Sequence, residues 1–250
     1  MQQQYIKQQA LQQSAYDFNC LPQDFLKHDN VLTIAKPHPK AKKCYEFPLS
    51  CQLITYGHNI VASCHEKIQD EVKAYIEQYP NYRAFETPQL LKLNDFLKTK
   101  QMQVAYLSEY FLPDLKLLKP LACAYETKIL HQADFKDLYI DTWSNALCAS
   151  RAHLDVLGVG AYDGERLIGL AACSMDGEEM WQIGIDVLPE YRHQGIAASL
   201  TSQLACEIIR HGKVPFYCCA WGNIASKRNA YTSGFKTAWI EMTATFIENN

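Results

Sequence analysis

The chain has 250 residues, 48% of them hydrophobic, 12% aromatic and 20% charged, with a formal charge of −3. That composition excludes a disordered or fibrous chain, and the near-neutral balance excludes a global basic field that would draw the molecule to nucleic acid or anionic lipid. At about 150 residues per domain, one domain with a long extension or two unequal units is expected, large enough to bury a core without metal or disulfides.

Residues 1–19 read MQQQYIKQQALQQSAYDFN, and glutamine interrupts every apolar run. No secretory signal with an apolar centre of about 7–15 residues is read there, and the stretch is expected to be a frayed or helical surface segment. No run approaches about 18 apolar residues, so the expectation is a soluble, cytoplasmic protein with no membrane partner. The ten cysteines contain no CxxC pair, and Cys173, Cys206, Cys218 and Cys219 fall in apolar segments. They are read as reduced structural residues. Cys51–Val61 is β-branched and aromatic enough for a strand, either continuous or broken at the turn signal Gly57–Asn59. Ser63 and Glu66 fit a capping box for a helix bearing Ile68, Val72, Ile76 and Tyr79, which Pro80 ends. Thr87 and Pro88 open a second helix with Leu90, Leu93 or Phe96, and Leu97 on one face, and Met102–Phe111 returns as a strand. Pro113 and Pro120 mark a boundary, giving an N-terminal α/β extension over residues 1–118 and a second domain over 119–250.

Beyond that boundary the order is sharper. A strand at Cys123–Leu130 precedes a helix from Asp134 to Leu147, with Phe135, Leu138, Tyr139, Trp143 and Ala146 at helical intervals. Three strands follow, Val156–Tyr162, Arg166–Ser174 and Met180–Leu188, joined by two-residue turns at Asp163-Gly164 and Asp176-Gly177. Gln194–Arg210 is a helix by its Ala197, Leu200, Leu204 and Ile208 stripe, closed by Gly212. A buried strand Val214–Trp221, a short helix Asn223–Ser233 and a last strand complete the chain. In that last strand Ile240, Met242, Ala244 and Phe246 alternate with Glu241, Thr243 and Thr245, the period of a half-solvated sheet.

Chemistry concentrates in Ile185-Asp186-Val187-Leu188-Pro189-Glu190-Tyr191-Arg192-His193-Gln194-Gly195-Ile196-Ala197. A strand ends, an arginine-bearing turn intervenes, and a helix begins at a glycine. The first N–H groups of a helix have no internal partners and sit at the positive end of its dipole, so they form an anion site. Glycine lets the backbone approach such an anion closely.

Arg192-x-x-Gly195-x-Ala197, within this succession of strands and helices from about Leu121 onward, resembles the cofactor signature of the GNAT acetyltransferase superfamily. Asn223-Ile224-Ala225-Ser226 and Gly234-Phe235 are similar to that family's fourth-helix segment. The resemblance implies an α+β fold with a mixed, mainly antiparallel sheet and flanking helices. It further implies acetyl-CoA as co-substrate, a small-molecule or peptide amine as acceptor, and allows a homodimer. By the same resemblance, the N–H groups of His193, Gln194, Gly195, Ile196 and Ala197 hold the pyrophosphate with Arg192 nearby, and Asn223 and Ser226 line the cofactor's other side. Lys227, Arg228, Arg210 or Lys213 could meet the 3′-phosphate. The backbone of Val187 faces the thioester carbonyl and serves as oxyanion donor. The N-terminal extension would shape the acceptor pocket or be a degenerate acetyltransferase-like half.

The family commonly places a proton-donating tyrosine four residues before the glycine of the fourth helix. Here that position is Ala230, and Tyr231 lies about 100° further round the helix. Tyr231 is the candidate acid, with water as the alternative. Asp186 is the candidate base over Glu178 and Glu179, since an acid in an apolar strand needs a partner or a purpose. Trp181 and Trp221 are expected in the core or pocket wall. Gly158-Val159-Gly160 lacks the third glycine of a dinucleotide loop, and the eight histidines form no HxxxH or HxH pair, so no metal is expected. A non-catalytic acyl-CoA-binding sensor is the rival reading.

Overall fold

The computed structural model describes residues 1–43 and 49–247, in two compact units. One comprises residues 10–110 with 238–250, the other residues 1–9 with 111–237. The division expected between residues 118 and 119 falls instead within the first helix and two long strands, β4 (Met102–Pro113) and β10 (Phe235–Phe246). Pro113 ends a strand here; it does not mark a linker.

The glutamine-rich start is helical, α1 (Gln3–Phe18), but not a surface segment. Ile6, Ala10, Ala15 and Phe18 are buried, and so are Gln13, Ser14 and Asp17. A buried stripe at Ile6, Ala10, Gln13 and Asp17 has helical spacing, yet half of it is polar, so hydrophobicity alone conceals it.

In the unit of residues 10–110 and 238–250, β1 (Val31–Ile34) lies parallel to β3 (Val61–Cys64), and β3 is antiparallel to β2 (Cys51–Thr55). Cys51–Val61 is therefore a hairpin arm and its turn, broken at the turn signal, with Gly57 at a φ of 96°. β10 adds antiparallel to β2, giving the order β1-β3-β2-β10. Ser63 is inside β3 and caps nothing. The cap is His65, whose ring accepts from the Lys67 N–H at 3.2 Å, and α2 (Gln69–Gln78) follows. Together with α3 (Thr87–Lys98), α2 packs Val72, Ile76, Leu93 and Leu97 onto Cys51, Leu53, Ala62 and Met242. The opposite face is covered as well. Ser14 of α1 bonds the Tyr56 hydroxyl at 2.8 Å, and Tyr56, Trp239 and Tyr110 stack in turn at 5.2 and 4.7 Å. Glu241, expected on a solvated face, is consequently only 2% exposed.

Beside this stack the buried Asp17 carboxylate accepts from the Gln13 side chain and the Lys42 N–H, and lies 3.2 Å from the Lys42 ammonium. Removing one partner of a buried pair leaves an uncompensated charge. Lys42→Met should therefore destabilise the protein by about 3 kcal/mol, read as a lower urea midpoint.

In the unit of residues 1–9 and 111–237, five strands have the order β9-β8-β7-β6-β5. They are β5 (Glu126–His131), β6 (Asp155–Asp163), β7 (Arg166–Ser174), β8 (Met180–Val187) and β9 (Val214–Ala220). Only β8 and β9 are parallel, so the sheet is mixed and mainly antiparallel as expected. The β6–β7 turn is made at Gly164, φ 60°. The second expected tight turn is instead a longer loop, because the Asp176 carboxylate is buried and bound by Arg151 at 2.6 Å and Ser174 at 3.1 Å. On one face α4 (Ile196–Arg210) seats Leu200, Leu204 and Ile208 against Leu157, Val159 and Ile168. α5 (Ile224–Thr232) follows β9. On the other face Phe135, Trp143, Ala146 and Leu147 cover Leu170 and Ala172.

That second cover is not the expected helix from Asp134 to Leu147. The segment forms short 3-10 turns at Gln132–Phe135 and Asp141–Trp143. Two groups on β8 account for the departure. An added Cβ at Gly184 would lie 1.9 Å from the Asn145 carbonyl oxygen, so the missing side chain admits the loop backbone against the strand. The Asp186 carboxylate then accepts from the N–H groups of Asn145 and Ala146, each at 2.9 Å, and from the Asn145 amide at 2.7 Å. The buried side chains keep helical spacing while tertiary hydrogen bonds hold the backbone in turns.

Candidate functional site

β8 is held along its whole length on one side and only partway on the other. Pairing with β7 continues to Val187, and Leu188 N–H still donates to the Ile168 carbonyl at 2.9 Å. Pairing with β9 stops at Ile183 opposite Tyr217. Past that point Gly184–Val187 and Cys218–Ala220 diverge. Successive N–H groups of a strand alternate in direction, and Leu188 points toward β7, so the Val187 N–H points into the opening. A cleft of about 830 Å³ occupies the opening, lined by β8, β9, Asn145, the Tyr191–Ala198 turn and one side of α5 from Asn223 to Thr232.

The turn at the cleft's mouth is shaped for an anion. His193 and Gly195 both have left-handed φ, 63° and 81°. Alternation of this kind turns successive N–H groups to one side, making a concave donor row at a helix start. Among the described residues no protein acceptor meets the N–H groups of His193, Gln194, Gly195, Ile196 or Ala197. An added Cβ at Gly195 would meet no atom within 4 Å, so nothing in the protein fills the space before those donors. Arg192 stands beside them, its Nε donating to the Val187 carbonyl at 3.0 Å. A diphosphate fits these residues: the donors, the adjacent guanidinium and the unfilled space coincide.

The remaining candidates separate. Asn223 and Ser226 both line the cleft. The Asn223 side chain caps α5 by accepting from the Ser226 N–H at 3.1 Å, and the Ser226 hydroxyl bonds the Tyr217 hydroxyl at 2.6 Å. Gln194 contributes its backbone to the turn, while its side chain accepts from the Tyr125 hydroxyl at 3.1 Å. Of the four cations considered for a 3′-phosphate, Arg228 lines the cleft, Arg210 pairs with Glu207, Lys213 pairs with Glu179, and Lys227 lies over the Trp221 ring at 4.1 Å. Trp181 is buried, but Trp221 is 47% exposed and belongs neither to the core nor to the cleft lining.

Tyr231 does not line the cleft. It is 50% exposed, its hydroxyl bonds Thr237 at 2.9 Å, and its ring meets Phe111 edge-on. Asp186 does line it, but its carboxylate is committed to the Asn145 and Ala146 bonds already described. Asp186→Ala would leave those donors without an acceptor and should cost about 2–3 kcal/mol of stability, measured by urea denaturation. The residue that sequence reasoning passed over is Tyr217, read only as part of a buried strand. Among the described residues no group of three or more His, Cys, Asp or Glu side chains could hold a metal ion, and no helix is long and apolar enough to cross a membrane. The nine described cysteines are free thiols; Cys44 lies outside the described residues.

Comparison with known proteins bears on this geometry. A family model described as GNAT acetyltransferase matches residues 60–239. A GCN5-related N-acetyltransferase from Kribbella flavida is similar at 14% identity and a TM-score of 0.50, over 63% of this chain and 64% of that one. A GCN5-related N-acetyltransferase-like protein from Streptococcus suis gives 17% and 0.45, over 63% and 68%. An acetyltransferase of the GNAT family from Colwellia psychrerythraea gives 18% and 0.45, over 58% and 57%, so this chain spans little more than half of that structure. The likeness to the Kribbella structure is one of fold. No curated protein sequence matches.

Proposed function

Because this chain belongs to the GNAT acetyltransferase family, we propose that it carries an acetyl group from acetyl-CoA directly to an amine acceptor at the opening between β8 and β9. The observation that carries this reading is the coincidence of two features on one strand. The β8 edge loses its partner after Ile183, and within a few residues the chain turns into the unfilled donor row at His193–Ala197. Bound in the cleft, acetyl-CoA supplies an activated acyl carbon. The protein's part is to hold and polarise it.

The N–H groups of His193–Ala197 and the Arg192 guanidinium bind the diphosphate, with no backbone reorganisation required of a preformed turn. Asn223 and Ser226 flank the cleft from α5. The Val187 N–H donates to the oxygen that gains charge when nitrogen attacks, and a fixed donor of this type contributes a factor of about 10²–10³ to the rate. The attacking nitrogen must be unprotonated; its proton passes to water in the cleft, since the Asp186 carboxylate is engaged. Asp186 is assigned a positioning role: it holds Asn145, which also lines the cleft, against the strand.

Ala230 favours one other reading, a sensor that binds acyl-CoA without turnover. Calorimetric titration with acetyl-CoA, followed by free-thiol release against a panel of small amines and peptides, separates the two. Binding with release supports transfer. Binding without release across the panel supports the sensor, and no heat at all overturns both.

A further inference from the structure

We infer that Tyr217 of β9 is the proton donor to the leaving thiolate, acting from the sheet where position 230 of the helix carries no hydroxyl. The inference rests on the transfer reading above and assigns one of its steps. Ala230 is fully buried and shares a core cluster with Tyr217, which is 3% exposed. Position 230 therefore offers no hydroxyl, and the buried tyrosine ring of this cluster is that of Tyr217. That ring is fixed by Phe111 at 6.2 Å and Phe235 at 6.3 Å.

The hydroxyl is delivered to the right place by two independent constraints. Tyr217 is the last β9 residue paired with β8, so it stands at the apex of the opening and lines the cleft with Val187. Its hydroxyl also bonds Ser226, which is four residues before Ala230 and therefore on the same helical face. Burial raises the phenol's ionisation above its usual range, with the Ser226 bond a smaller opposing effect, so the group is protonated at neutral pH. Cys218 and Cys219 are the neighbouring titratable groups, both on β9. Tyr231, the helical alternative, bonds Thr237 outside the cleft lining.

The step balances without another reactant. The carbon–sulfur bond breaks as the carbon–nitrogen bond forms, the sulfur takes the phenolic proton, and the proton shed by nitrogen to water returns to the phenolate through the Ser226 hydroxyl.

The test uses the full chain with CoA itself, so it needs no identified acceptor. The thiol of protein-bound CoA is titrated by the ultraviolet absorbance of its thiolate. A phenol donating to sulfur favours the thiolate, so wild type should titrate about one pH unit below Tyr217→Phe. The dissociation constant for CoA should differ by less than about threefold, since only one hydroxyl is lost. Tyr231→Phe should titrate like wild type. With any amine that wild type acetylates, kcat of Tyr217→Phe should fall about 100-fold at little change in KM. Should Tyr217→Phe not fold, Ser226→Ala replaces it and must move the same titration. Coincident curves for wild type and Tyr217→Phe, or a shift produced by Tyr231→Phe instead, overturn the inference and leave the transfer reading standing. Failure of wild type to bind CoA overturns both.

Discussion

Gly195→Asp should bind CoA at least about 100-fold more weakly than wild type while unfolding at nearly the same urea concentration, a loss near 2.7 kcal/mol of binding free energy. Three effects act together. At φ 81° any residue with a Cβ is strained by roughly 1–2 kcal/mol. The new side chain enters space that no protein atom occupies, which is the space a diphosphate would need. Its carboxylate then satisfies the donor row from within and repels the anion. Gly195→Ala brings the strain without the charge, so it should fall between the two. Because residue 195 is exposed and packs on nothing, folding should suffer only from the strain. Calorimetry with CoA reads the outcome; undiminished heat from the aspartate variant would show that the turn is not where the diphosphate lies.

What the sequence discloses follows from whether the deciding contacts are local. The turn at Gly164 and the α4 stripe depend on neighbours within one turn or one hairpin, and both are found where periodicity and turn chemistry put them. The donor row is local too, since Arg192, Gly195 and Ala197 are adjacent. The segment from Asp134 to Leu147 is different. Its apolar spacing suits a helix, but the choice between helix and turns is made by Gly184 and Asp186, some forty residues away. For α1, the buried polar side chains Gln13, Ser14 and Asp17 make a covered helix look like a solvated one. Tyr217 falls between these cases. The absence of a tyrosine at 230 and its presence in an apolar strand are both visible in the sequence. Their proximity is not, because it depends on the register of β9 and the placement of α5.

The largest expected loss of stability belongs to Gly184→Ala, about 3 kcal/mol or more. A single methyl there would meet backbone on every near approach: the Asn145 carbonyl oxygen at 1.9 Å, its carbon at 2.9 Å and the Ala146 Cα at 3.0 Å. None of these is the flexible end of a side chain, so relief requires the loop to lift from β8. Lifting it breaks the bonds from Asn145 and Ala146 to the Asp186 carboxylate and exposes Trp143 and Leu147 from the cover over Leu170. Gly222→Ala is the reference, since nothing lies within 4 Å of a Cβ there; it should change stability by no more than about 0.5 kcal/mol. The coupling is as informative as the size. If the methyl acts by lifting the loop, the Asp186 bonds are already lost in Gly184→Ala, and adding Asp186→Ala should cost much less than the same change in wild type. Urea denaturation of the four proteins gives that interaction energy directly, and strict additivity would show that Gly184 and Asp186 do not hold one and the same segment.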